Sequence, residues 1–185
     1  MSLSRTLQIK TEDRAAFLDI LNSSLRKAAV RTFHFDFHGL KWVPNFERNR
    51  WFLVLSIKKP VQDELNRLLN ACNEAARKSG HPGLYTGGEG DGPMEKSNSN
   101  ITSEHDESKQ PDRSDFFHVS IAWNLKEPDA SWTSLVRNID VNKHIQSPQA
   151  AFDAVKVKIG NTVHSISLAP KRHVRGEGGG RLGLG

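Results

Sequence analysis

Apolar positions recur at helical spacing in two stretches. From Glu12 to Ala29, residues Phe17, Ile20, Leu21, Ser24 and Ala28 share one helical face, with Thr11 placed to cap the start. From Pro60 to Lys78, residues Val61, Leu65, Leu68, Cys72 and Ala75 step by 4, 3, 4 and 3. That predicts a second amphipathic helix, opened by Pro60 and closed by Gly80. Cys72 lies on this stripe and reads as a small buried hydrophobe rather than a nucleophile. Elsewhere the period falls to two or the run is largely apolar, which predicts strands. These are Ser2–Thr6, Thr32–Phe37, Trp51–Ile57 after a polar turn at Asn45–Asn49, and Phe116–Asn124. Ala154–Ile159 and Val163–Leu168 form a hairpin candidate around Gly160-Asn161, and Ser131–Ile139 reads as a short helix. This order fits an α+β fold with mainly antiparallel sheets.

Two segments break the pattern. Residues 86–114 are rich in Gly, Ser, Asn, Glu and Asp, with Met94 and Ile101 as the only aliphatic or aromatic anchors. Such a stretch buries too little surface to offset its ordering entropy and is expected to be disordered. The Gly/Arg tail, residues 173–185, is expected to be flexible. The folded domain is therefore expected over residues 1–85 and 115–172.

The chain's charge of +5 is unevenly placed. Residues 86–114 hold seven acids against three bases, net −4, so the remainder carries +9. A basic folded body suits a polyanion such as RNA, although a solvated lysine- and arginine-rich surface accounts for the same charge. No apolar run approaches the roughly 18 residues a membrane span needs, and the N-terminus does not read as a secretory signal. The single cysteine excludes an internal disulfide and a cysteine-based zinc cluster, which makes cytosol or nucleus the default.

The chemistry-bearing pattern is Phe117-His118-Val119-Ser120-Ile121-Ala122-Trp123. In a strand, His118 and Ser120 share one face while Phe117, Val119, Ile121 and Trp123 share the other. A histidine titrates near neutral pH and can pass a proton during phosphoryl transfer; a serine two residues on can donate to a phosphate oxygen. Taken alone, a strand histidine is usually structural. At the N-terminus, Ser2 and Ser4 alternate in the same way, like the end of a second such strand or an ordinary polar one.

Four segments, in this order and near the expected spacing, resemble the U6 small nuclear RNA 3′-end phosphodiesterases, a branch of the two-histidine phosphoesterase superfamily. They are Ser2–Thr6, Asn45–Phe52, Phe117–Trp123 and Ile159–Val163. The resemblance covers roughly residues 1–172 apart from the acidic insert. It implies a two-lobed fold in which each lobe offers a His-x-Ser strand to a central cleft. The implied activity is metal-independent 3′-to-5′ trimming of RNA, with no cofactor, in the nucleus and as a monomer. The expected product ends in a 2′,3′-cyclic phosphate or a 3′-phosphate. By motif position, His118 would be the general acid, and Ser120 and Ser2 would hold phosphate oxygens. Tyr85, Phe117 and Phe46 would meet the substrate. The first histidine's position falls before Met1, so this lobe reads as incomplete. The chain as it stands is expected to be nearly inactive, through truncation or through descent into a non-catalytic RNA-binding module.

Overall fold

Two helices and two antiparallel sheets share one apolar core in the computed structural model, which describes residues 1–86, 111–146 and 151–170. Helix α1 spans Arg14–Ala28 and α2 spans Glu64–Lys78. Phe17, Leu21 and Leu25 of α1 meet Leu65, Leu68, Leu69, Cys72 and Ala75 of α2 in that core. The stripe predicted for α2 thus faces inward from Leu65 onward. Burial also pushes the Cys72 thiol up to about 12, so the group stays a neutral packing element.

The helix starts differ from expectation. A 3-10 turn, Thr11–Asp13, precedes α1, and no side chain caps either. Pro60 opens a tight turn instead of α2: the Asp63 amide donates to the Pro60 carbonyl, and Val61 is wholly exposed at 101%. The step of four from Val61 to Leu65 matched a helix only because a turn of similar length lies there. At the far end of α1, Ala29 takes a left-handed φ of 51°, and Arg67 of α2 donates to the carbonyls of Ala28 and Ala29. Those carbonyls have no partner inside the helix, so the guanidinium ties α1 to α2.

The first sheet has order β1-β2-β3, with β1 at Phe37–Pro44, β2 at Trp51–Ile57 and β3 at His118–Asn124. β1 and β2 are joined by the predicted polar turn, where Asn45 Oδ1 accepts from the amides of Asn49 and Arg50. Strand Thr32–Phe37 is expected; ahead of Phe37, where β1 begins, only single bridges form, Arg31 to Ala169 and Phe33 to Phe152. Its alternation reflects aromatic packing, with the Phe33 and Phe152 rings 5.2 Å apart, rather than a ladder. Ser2–Thr6 is likewise not a strand. Leu3, Leu7 and Ile9 do pack on the core, so the alternation records one-sided burial without a paired neighbour.

Helices α3 (Ala130–Arg137, capped by Asp129) and α4 (Val141–His144) lie against β1. The second sheet is the expected hairpin, β4 at Ala154–Ile159 and β5 at Thr162–Ser167, with Val155 and Ile166 in the shared core. Gly160 holds φ at 58° in its two-residue turn, a value that favours glycine. Most of the acidic insert, 87–110, and the whole tail lie outside the described residues. The insert's last residues are held in place. Asn66 of α2 donates to Asp112 and accepts from the Arg113 amide, and Lys59 donates to Asp112 at 2.7 Å. The Lys59 bond, and after it the Ser114 hydroxyl that also donates to Asp112, keep its carboxyl well below the usual carboxylate range. Among the described residues no helix is long and apolar enough to cross a membrane.

Candidate active site

Strand pairing sets the chemistry of one sheet face. Ser56 pairs with His118 and Val54 with Ser120, while Lys41 of β1 pairs with Val54 from the other side. Directly paired residues point the same way, so Lys41, His118 and Ser120 share a face. Leu55 and Ile57, which alternate with them, go to the core. A bulge between Leu53 and Val54, opposite Ile121, shifts the phase of β3. Beyond it Trp123 pairs with Phe52 and lies under the Arg50 guanidinium at 5.5 Å. Ile121 and Trp123 are exposed at 49% and 59%, where strict alternation placed both against the core.

The face opens on a cavity of about 840 Å³. His118 and Ser120 line it together with Lys41, Trp42, Phe52, Tyr85 and Phe116, and it continues to Arg48, Thr133 and Arg137. His118 is half-buried, and its Nδ1 lies 2.7 Å from the Phe116 carbonyl. A carbonyl only accepts, so Nδ1 carries the proton and the neutral ring keeps its lone pair on Nε2. Burial holds the imidazole below its ordinary value of 6.5. The charges of Lys41 and of the Met1 amino group act in the same direction, while the bond to Phe116 opposes them.

Two consequences follow from the sign of that shift. The unfolded chain binds more protons than the folded one near and below pH 6.5, so His118 contributes stability above that range and loses it as pH falls through its folded value. Lys41→Gln removes one opposing charge and should raise the His118 value. An NMR titration of the ring would check this, and an unchanged or lowered midpoint would count against the placement of Lys41.

Tyr85 forms a second wall. Its ring stacks on Phe116 at 4.9 Å and its hydroxyl lies 3.5 Å from the same carbonyl that His118 engages. The backbone beneath it is strained, with φ of 57°. Neighbours hold it there: Arg113 Nε donates to the Tyr85 carbonyl at 2.7 Å, and Asn73 binds both backbone groups of Leu84.

The other predicted residues lie elsewhere. Phe117 is a correction: it is 2% exposed and sits in the core on the opposite face, because residues adjacent in a strand point opposite ways. Buried there, it anchors the strand from the core side, away from the face that carries His118. Phe46 is exposed in the β1–β2 turn, outside the cavity, although its neighbours Asn45 and Arg48 line it. Ser2 lines a second cavity, beside β4, rather than the one holding His118. Lys41 was missed. Its strand was expected to end at Phe37, which left Lys41 in a presumed loop, whereas the Gly39, Lys41, Val43 alternation was there to be read. Among the described residues His118 is the sole histidine lining the first cavity, and no cluster of three His, Cys, Asp or Glu could hold a metal ion.

The sheet face presents a half-buried histidine, a serine two residues on and a flanking lysine over a cleft, and the helices and antiparallel sheets that carry it have a two-histidine phosphoesterase-like fold. Kluyveromyces marxianus Usb1, a solved structure, has the same fold, with a TM-score of 0.54 and 17% identity over 90% of this chain and 73% of that one. The chain belongs to the family described as "HVSL: Uncharacterised conserved protein", which matches residues 1–167. It is also similar to U6 snRNA phosphodiesterase 1 of Neurospora crassa, at 29% identity over 92% of this chain. The chain spans 48% of that relative's length. The resemblance to the U6 small nuclear RNA 3′-end phosphodiesterases is thereby borne out.

Proposed function

We propose that the cleft cleaves phosphodiester bonds at the 3′ end of RNA, the oligouridine end of U6 small nuclear RNA being its substrate in the nucleus, and that the chain acts as a monomer. The observation that carries this reading is the fixed His118 ring. With Nδ1 committed to the Phe116 carbonyl, Nε2 is the atom that exchanges protons with a ligand. The 2′-hydroxyl attacks the adjacent phosphorus, a 2′,3′-cyclic phosphate forms, and the 5′-oxygen leaves with the Nε2 proton of the His118 imidazolium, the form a bound phosphate favours. Ser120 donates to a non-bridging oxygen and Lys41 offsets the charge that grows there. Tyr85, already stacked on Phe116, offers a ring to the terminal base.

In-line transfer also needs a group to take the 2′-hydroxyl proton. Among the described residues His118 is the sole histidine lining the cleft, so the chain as given should bind oligouridine in a salt-sensitive way and turn it over very slowly. Placing a His-x-Ser strand ahead of Ser2 should give 3′ shortening that persists in EDTA and stops at a 2′-deoxy residue. Equal cutting of the 2′-deoxy RNA would refute the mechanism. Binding without turnover in the extended protein would favour a non-catalytic RNA-binding module.

A further inference from the structure

A second basic groove runs between the C-terminal end of α1 and the length of α2, with a volume of about 520 Å³. Four cations line it, Lys27, Arg67, Arg77 and Arg113, against one carboxylate, Glu74. Lys78 already pairs with Glu74 at 2.7 Å. Arg67 and Arg113 build the groove: the first donates to the α1 carbonyls, the second to the Tyr85 carbonyl and to Asn70. Lys27 and Arg77 stand exposed on its rims, and neither forms a salt bridge among the described residues.

The groove shares a wall with the cleft. Leu84, Tyr85 and Asp112 line the cleft, while Thr86, Pro111 and Arg113 line the groove. A chain passing over Tyr85 and Thr86 thus leaves one and enters the other. The linings differ in kind. The cleft offers Trp42, Phe52, Tyr85 and Phe116 to bases, and among the described residues the groove has no aromatic side chain. It offers charge, amides and the hydroxyls of Ser24 and Thr86, over about 15 Å of helix from Arg67 to Arg77. That is a surface for phosphates without regard to sequence.

We propose that this groove binds the phosphodiester backbone of RNA upstream of the 3′ end, so that a longer RNA is held at two places. The inference rests on the cleft holding the RNA terminus, and the test separates the two. Fluorescence anisotropy on the full chain would compare a short oligouridine of about 4 nucleotides with one of about 16, the range a single binding surface spans. The double variant Lys27→Glu and Arg77→Glu should weaken the long RNA at least tenfold and reduce the slope of log affinity against log salt by about 2, one for each lost phosphate contact. Its affinity for the short RNA should be unchanged, and its melting curve should match the parent's. Lys41→Glu should weaken both RNAs. Unchanged long-RNA binding in the double variant, or equal loss for both lengths, overturns the groove. Loss confined to long RNA while Lys41→Glu affects neither length keeps the groove and overturns the cleft.

Discussion

His118→Ala is expected to lower cleavage of an oligouridine RNA by about 10²- to 10⁴-fold, measured in EDTA on a chain extended by an added His-x-Ser strand. The size follows from what the ring supplies. Without it, the departing 5′-oxygen must take its proton from water, and that is the relay a positioned acid provides. Ser120→Ala should cost less, because it removes one donor among several around the phosphate. The split between chemistry and binding distinguishes the two: His118→Ala should act mainly on kcat. A loss confined to KM would assign His118 to binding. The pH profile gives a second handle. Since burial favours the neutral ring in the free protein, kcat/KM should decline with rising pH from below the ordinary histidine range. A bound phosphate should move the corresponding limb of kcat upward, because it stabilises the imidazolium.

Leu68→Ala should destabilise the fold by about 2–5 kcal/mol, the usual cost of a core cavity of this kind. Leu68 is 0% exposed in the middle of α2, in the core that α1 and both sheets share. The whole stability of a domain is about 5–15 kcal/mol, so much of the margin would go. A urea titration followed by circular dichroism should show the midpoint fall. The cleft should suffer with it, since Asn66, Asn70 and Asn73 of the same helix hold residues 112, 113 and 84. A shift below about 0.5 kcal/mol, the range of surface substitutions, would contradict the packing described.

What the sequence revealed depends on how local each signal was. Leu65, Leu68, Cys72 and Ala75 could be read because one helix face meets one core. Gly160-Asn161 could be read because a two-residue hairpin needs a positive φ that glycine supplies. Val61 misled because an exposed valine and a buried one look alike until the turn at Asp63 is seen. Phe33 and Phe35 misled for a related reason: their partner Phe152 is remote, and aromatic packing imitates strand alternation. At the site, His118 and Ser120 were legible as a strand pair. Lys41 was not, because its role comes from the register between β1 and β2, which brings it beside Ser120 across Val54. Ile121 illustrates the same limit, since a bulge changes which face a residue takes and leaves no mark in the pattern itself.

The bridges at Arg31 and Phe33 also govern when the protein can fold. Thr32 hydrogen-bonds to Ala169, 137 positions later, and Phe33 to Phe152. Val155 and Ile166 complete the core that Phe17 and Leu21 begin. On the ribosome, α1 and α2 therefore emerge with one side of their apolar surface uncovered. At about 5–20 residues per second, the wait for the closing hairpin is on the order of ten seconds. Contacts this distant also slow folding of the finished chain, because the loop must close before the pairing is gained. The β1-β2 hairpin, built from neighbours, can form first; the hairpin that seals the core is made only after both helices.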